Sequence, residues 1–223
     1  MSASSRAAAR DLVVSAARRL VDRGYLVATG GNLSARVPGE DAFAITPSGY
    51  DYKRMLPDDV VILDPDLVVL EGQRKPSIES GLHAAVYRDR PDAGAVAHTH
   101  QVNASALAAL GLGIPALFDE QARYLGRRVR VVPYRPSGTG LLVGALRRRL
   151  GDHSNAYILK SHGALCLGPD MEHAVHNVEV LEKCAAVYLL ALCTGRRVTR
   201  IPAPIREVVF ARLRADQKRV VGS

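Results

Sequence analysis

Apolar residues recur at helical spacing near the head of the chain. Ala8, Leu12, Val13, Ala16 and Leu20 stand among basic and polar positions, which predicts an amphipathic helix from about Ser5 to Arg23, ended by Gly24. Alternation then replaces that period. Leu33 to Arg36 and Ala42 to Thr46 read as strands, with Gly30-Gly31-Asn32 as a tight turn before the first and Pro47-Ser48-Gly49 closing the second. Val60 to Leu63 and Leu67 to Leu70 read as two more, joined by Asp64-Pro65-Asp66. Helices are expected over Ser77 to Arg88, Gln101 to Leu110, Gly138 to Leu150 and Met171 to Leu192. Ala95 to Thr99, Val129 to Pro133, Ala156 to Lys160 and Ala164 to Cys166 complete the strand candidates. Strands come in clusters with helices between them, not in strict βαβ alternation, so the pattern favours a mixed or antiparallel sheet covered by helices.

The chain has 223 residues, enough for a sizeable core, and no linker, repeat or low-complexity tract, so one domain spanning 1–223 is expected. Met1 to Arg10 lacks an apolar stretch of signal-peptide length. No window approaches the roughly 18 apolar residues of a membrane span, so no membrane partner is expected. The formal charge of +8 is spread along the chain, with eight Tyr, three Phe and no Trp to interleave with it. A solvated basic surface is therefore expected and no nucleic acid, although the net field favours an anionic small molecule. Cys166, Cys184 and Cys193 are an odd set without Cys-x-x-Cys. They read as buried small hydrophobes in a cytoplasmic protein.

The chemistry concentrates in a few stretches. On a strand, His98 and His100 face the same way, so Ala95-Val96-Ala97-His98-Thr99-His100 can grip one metal ion. A bare His-x-His is equally compatible with two unrelated histidines. Ser161-His162-Gly163 lies between two strand-like runs and makes a third imidazole, the ligand count of a catalytic zinc site with an open position; spacing alone does not establish that the three meet. Glu79 sits in the first turn of the helix opened by Pro76 and Ser77. The helix dipole favours a carboxylate there, and the functional alternative is a general base or a further metal ligand. His83 is four residues on and reads first as a satisfied structural histidine, with contact to Glu79 as the alternative. His153, His173 and His176 read as surface residues. The turns Gly30-Gly31-Asn32, Ser48-Gly49 and Pro76-Ser77 offer backbone N–H groups of the kind that bind phosphate or carboxylate oxygens.

Taken in order, Thr29-Gly30-Gly31-Asn32-Leu33-Ser34, Thr46-Pro47-Ser48-Gly49, Pro76-Ser77-Ile78-Glu79 with His83, Pro91 to His100, and Ser161-His162-Gly163 resemble the class II aldolase/adducin family, over about residues 5 to 195. The resemblance implies an α/β fold: a three-layer α/β/α arrangement around a central mixed, mostly antiparallel sheet. It implies a homotetramer with active sites at subunit interfaces. It assigns His98, His100 and His162 to zinc, with manganese, iron, cobalt or nickel as alternative divalent metals. Glu79 becomes the base and a ligand of the resting metal, and Gly31, Asn32, Ser48, Gly49, Ser77 and Ile78 become the substrate phosphate pocket. The implied reaction is cleavage of a small ketose or ketose phosphate through a metal-stabilised enediolate.

Two departures bear on that reading. Ile78 replaces a second serine of the phosphate pocket, Ile114 to Glu120 carries Asp119 where the family's aldolases have a tyrosine, and no tyrosine lies beyond Tyr188. Asp119, Tyr124 and Tyr134 remain candidate proton donors, and the tail from Arg200 to Ser223 is the least informative part. The family also includes decarboxylases, epimerases and a dehydratase, so decarboxylation of a keto acid is the alternative reaction. A non-catalytic adducin-type binding module is a third reading. It is disfavoured because His98, His100, His162 and Glu79 are all kept.

Overall fold

The sheet is organised around a fully buried strand near its middle. In the computed structural model, which describes residues 2–222 and leaves Met1 and Ser223 outside, the run of small and β-branched residues Ala95–Thr99 forms a strand buried along its whole length. In chain order the strands are β1 (Asn32–Arg36), β2 (Phe43–Ile45), β3 (Val61–Leu63), β4 (Val69–Glu71), β5 (Ala95–Thr99), β6 (Arg130–Val132), β7 (Ala156–Leu159) and β8 (Gly163–Gly168). They form one eight-stranded sheet in the order β4-β3-β2-β1-β5-β8-β7-β6. Every neighbouring pair is antiparallel except β6 with β7.

Helices cover both faces. They are α1 (Ser2–Asp22), α2 (Ser80–Asp89), α3 (Val102–Leu110), α4 (Asp119–Tyr124), α5 (Gly140–Leu150), α6 (Met171–Cys193) and α7 (Ala203–Gly222). Alternation along the strands divides the apolar residues into two cores. Leu33, Ala35, Ala95, Ala97, Ala164 and Cys166 pack against α1, α3 and α6. Phe43, Ile45, Val96, Leu165 and Leu167 pack with Leu82, Val86, Leu142 and Leu146 of α2 and α5. The arrangement is three-layer α/β/α with a mostly antiparallel sheet, as the resemblance implied.

Several boundaries move for local reasons. Helix α2 starts at Ser80, not Ser77: Pro76 is bridged to Pro47 and the Ser77 N–H donates to the Thr46 carbonyl, so the chain is still paired with that segment where the helix was expected to begin. Strand β4 starts at Val69. Asp64 Oδ1 accepts from the N–H groups of Asp66 and Val68 and holds Leu67 in a left-handed conformation at φ 68°. Helices α4 and α7 were not expected. Helix α7 buries Phe210, Leu213 and Gln217 while Ile205, Val208 and Val221 stay exposed, so its apolar period is blurred. Cys166 and Cys184 are buried as expected, but Cys193 is exposed at the end of α6, where the helix runs past the core. Among the described residues no helix is long and apolar enough to cross a membrane.

Candidate active site

Strand β5 and the β7–β8 hairpin bring three imidazoles together. His98 is fully buried, and its Nδ1 lies 2.8 Å from the Ala164 carbonyl of the adjacent strand. A carbonyl only accepts, so Nδ1 carries the proton and Nε2 presents a lone pair. That lone pair is 3.0 Å from His100 Nε2 and 3.2 Å from His162 Nε2. His162 projects from the three-residue loop that follows Leu159, and Ser161 before it is left-handed at φ 54°. One nitrogen from each ring lies within 4.8 Å of the others, a set that could hold a metal ion.

Close backbone approach makes two glycines necessary here. A Cβ on Gly163 would lie 2.5 Å from His100 Cδ2 and 2.6 Å from the Thr99 carbonyl. Gly31 has φ +83°, and a Cβ there would lie 2.6 Å from the His98 carbonyl.

Glu79 closes the cluster from the other side. It is the residue immediately before α2, not within its first turn. Its Oε2 is 3.2 Å from His98 Nε2 and its Oε1 is 3.2 Å from His162 Nε2. Asn32 Nδ2 donates to Oε2 at 2.8 Å, and Ser137 Oγ donates to Oε1 at 2.6 Å. Burial pushes the Glu79 carboxyl up. His98, the Ser137 hydrogen bond, His162 and Asn32 together outweigh that and hold it below the usual carboxylate range. Burial pushes His98 down to about 4, and it also lowers His100. At neutral pH His98 and His100 are therefore neutral beside an ionised Glu79.

The span of chain that carries this site is matched when the chain is compared with known proteins. Residues 11–189 match the class II aldolase and adducin N-terminal domain. The chain belongs to the class II aldolase and adducin family. It is 36% identical over 179 residues to the 5-deoxy-D-ribulose 1-phosphate aldolase of Bacillus thuringiensis serovar kurstaki, covering 80% of this chain and 83% of that one. It is 37% identical over 175 residues to the L-fuculose phosphate aldolase of Methanocaldococcus jannaschii, covering 78% and 92%. The solved structure of an L-fuculose 1-phosphate aldolase superposes with a TM-score of 0.87 at 30% identity, over 92% of this chain and 96% of that one.

Within this family member, the turns expected to offer free N–H groups are only partly open. The Ser48 N–H donates to the Lys75 carbonyl and the Ser77 N–H to Thr46, because these two turns are stitched to each other, and the Gly30 N–H donates to Val27 within its own turn. Ser48 and Gly49 are exposed, and Ile78 is 69% exposed. Ser77 is buried, with its hydroxyl accepting from the Glu79 N–H at 3.2 Å. Asn32 is buried with its amide turned to Glu79.

His83 is fully buried and touches Asn32 and Ser34, not Glu79. Of the candidate donors, Asp119 is exposed at the head of α4, and Tyr124 packs edge-on against His176 with ring centroids 4.6 Å apart. Tyr134 is 54% exposed on the loop 133–139, the segment that reaches Glu79 through Ser137.

Sequence reasoning did not single out Ser34, Tyr52, Tyr87 or Ser137. Tyr52 is buried and its hydroxyl donates to the Gly31 carbonyl at 2.5 Å, bracing the turn beneath the histidines. A usable signal was the spacing of Asn32 and Ser34 on a strand against Glu79, His83 and Tyr87 at helical steps of four. Ser137 carries no comparable signal, since it comes from an exposed loop.

Proposed function

We propose that this chain is a metal-dependent aldolase that cleaves a small ketose, phosphorylated at the end that enters the Ser48–Ser77 region. The observation that carries the reading is the convergence of acceptor atoms. The lone pair of His98 Nε2 faces Glu79 Oε2 at 3.2 Å, with His100 and His162 nitrogens alongside. His98 Nε2 and Glu79 Oε2 are both acceptors, and two acceptors this close repel unless a proton or a metal cation lies between them.

The donor set fits a divalent metal. Two nitrogens on a tetrahedral zinc, each bonded at about 2.0–2.1 Å, lie about 3.3 Å apart. The observed 3.0 and 3.2 Å separations are near that value. His98, His100 and His162 would hold the ion, zinc by preference and manganese, iron, cobalt or nickel by the same donors. A bound divalent cation supplies Lewis-acid stabilisation of the negative charge that develops on the substrate carbonyl oxygen.

The protein's own groups handle the protons and the orientation. As the carbon–carbon bond breaks, its electron pair stays with the carbonyl fragment, and the hydroxyl of the departing carbon gives up its proton to form the aldehyde. Glu79 returns a proton to the carbon that kept the pair, and in the synthetic direction it removes one. Asn32 and Ser137 each hold one oxygen of Glu79, which keeps the carboxylate from rotating. Gly31, Ser48, Gly49, Ser77 and Ile78, with the remaining N–H of Asn32, are the proposed anion-binding group. Tyr134, exposed on the loop that contacts Glu79, is the favoured group to relay that hydroxyl proton to solvent in cleavage and to donate one to the aldehyde oxygen in synthesis.

A homotetramer with interfacial sites is part of the proposal. It is supported by large apolar side chains left in solvent at Ile78, Val102, Leu141 and Leu190. Free thiols at Cys166, Cys184 and Cys193 suit a cytoplasmic setting.

The test is release of dihydroxyacetone phosphate from L-fuculose 1-phosphate and 5-deoxy-D-ribulose 1-phosphate by the metal-loaded protein. Glu79→Gln should keep the metal and lose about 10²–10⁴ in turnover. Release of carbon dioxide from a keto acid, with no cleavage of either ketose phosphate, would favour the decarboxylase instead.

A further inference from the structure

Two rows of side chains mesh behind the candidate base. Asn32 and Ser34, two apart on β1, share the sheet face of His98 and Val96, against which they are paired. Glu79, His83 and Tyr87, four apart, form one row along α2 from the residue that opens it. Two strand residues advance about 6.7 Å. Four helical residues advance about 6 Å. The rows therefore stay in step, and their polar atoms alternate across the gap.

The contacts form an unbroken chain. Asn32 Nδ2 to Glu79 Oε2 is 2.8 Å, His83 Nε2 to Asn32 Oδ1 is 2.6 Å, Ser34 Oγ to His83 Nδ1 is 2.6 Å, and Tyr87 OH to Ser34 Oγ is 2.7 Å. All five residues are buried.

The acceptor end fixes the direction of every bond. An ionised carboxylate only accepts, so Asn32 presents its NH₂ to Glu79 and its carbonyl to His83. His83 must then donate from Nε2, which leaves Nδ1 to accept from Ser34, and Ser34 to accept from Tyr87.

We propose that His83, held as the Nε2–H tautomer by Ser34 and Tyr87, is a positioning residue for Glu79 that acts by fixing which end of the Asn32 amide faces the carboxylate. The two ends of an asparagine amide are nearly equal in size. Without the His83 donor, nothing on that side of Asn32 opposes a flip, and a flipped amide sets a carbonyl oxygen against Glu79 Oε2. The inference rests on Glu79 being the proton-transfer group proposed above.

Two measurements test it. A long-range proton–nitrogen correlation spectrum of nitrogen-15-labelled protein reports which ring nitrogen of His83 carries the proton, with no need for turnover. Nε2–H is expected, and a proton held on Nδ1 instead overturns the proposal. The second measurement is exchange of solvent deuterium into dihydroxyacetone phosphate, the half-reaction that isolates the Glu79 step.

His83→Leu should lower kcat for exchange by about 10- to 100-fold, with KM within about twofold and bound metal per chain unchanged. His83→Gln, whose amide can donate to Asn32 and accept from Ser34, should restore exchange to within about threefold of the unmodified protein. A Leu variant with undiminished kcat overturns the positioning role. Ser34→Ala removes one hydroxyl and leaves little void, so it serves should the Leu variant fail to fold. It should give mixed His83 tautomers and a partial loss of kcat, and an unmixed Nε2–H tautomer with full kcat counts against the chain. If the unmodified protein exchanges no deuterium, the functional reading falls and the kinetic role of His83 with it, while the hydrogen-bond chain is judged by the tautomer alone. The nitrogen spectrum still reports the tautomer separately, so the two failures are told apart.

Discussion

Asn32 sits directly opposite His98 in the β1–β5 ladder, and from that position its amide donates to Glu79 at 2.8 Å. One strand register thus places both a candidate metal ligand and the group that orients the candidate base. A slip of one residue would turn Asn32 to the opposite face and break both relationships. Asn32→Asp should be more damaging than its size suggests. It places a second carboxylate at hydrogen-bond distance from Glu79, and two such groups cannot both stay ionised without strong mutual repulsion. Turnover should fall by more than about tenfold with the fold retained. Steady-state kinetics with circular dichroism checks this, and unchanged kcat would contradict it.

Buried neutral histidines predict how stability depends on pH. Burial pushes His83 down to about 3 and His98 to about 4. In the unfolded chain both titrate near about 6.5. Between those values the unfolded state binds protons that the folded state does not, so stability rises with pH. The contribution is complete above the unfolded value and is lost as pH falls through the window toward the folded values. The urea midpoint of the metal-free protein should therefore drop between about pH 7 and pH 5, and His83→Gln should flatten part of that slope. A midpoint independent of pH over this range would contradict the assignment.

Gly163 is predicted to be irreplaceable even by alanine. Its backbone lies so close to His100 and the Thr99 carbonyl that an added methyl would sit at 2.5 and 2.6 Å from them. Gly163→Ala should cost about 1–3 kcal/mol from overpacking and displace the His100 ring. Denaturant unfolding and metal affinity measured together test this. A variant with native stability and native metal affinity would show that the site tolerates the shift.

Much of the fold was legible because its strands carry clean signals. Ala95–Thr99 is uninterrupted by Pro or Gly, and the structure places β5 there without adjustment. The expected helices α2 and α5 also appear, although α2 begins only after Pro76 and Ser77 have paired with Pro47 and Thr46. Helix α4 is six residues long, too short to display a period. Helix α7 leaves most of its apolar residues in solvent, so its pattern resembled none of the templates.

The site was legible as a list of residue types and not as a network. His98, His100, His162 and Glu79 could be named from motifs. The hydrogen bonds that orient Glu79 depend on the register of β1 against β5 and on the packing distance of α2, neither of which is local in sequence. Asn32 illustrates the difference. The motif suggested a phosphate contact, while the fold turns its side chain inward to Glu79 and His83.

The central claim is that three imidazoles distant in sequence hold one divalent ion next to Glu79. Metal content per chain, measured by elemental analysis after reconstitution and dialysis, tests it most directly. The account predicts one divalent ion per chain in the unmodified protein and its loss in His162→Ala, with Glu79→Gln still loaded. An unmodified protein that binds no ion, or a His162→Ala variant that binds it equally well, would contradict the account.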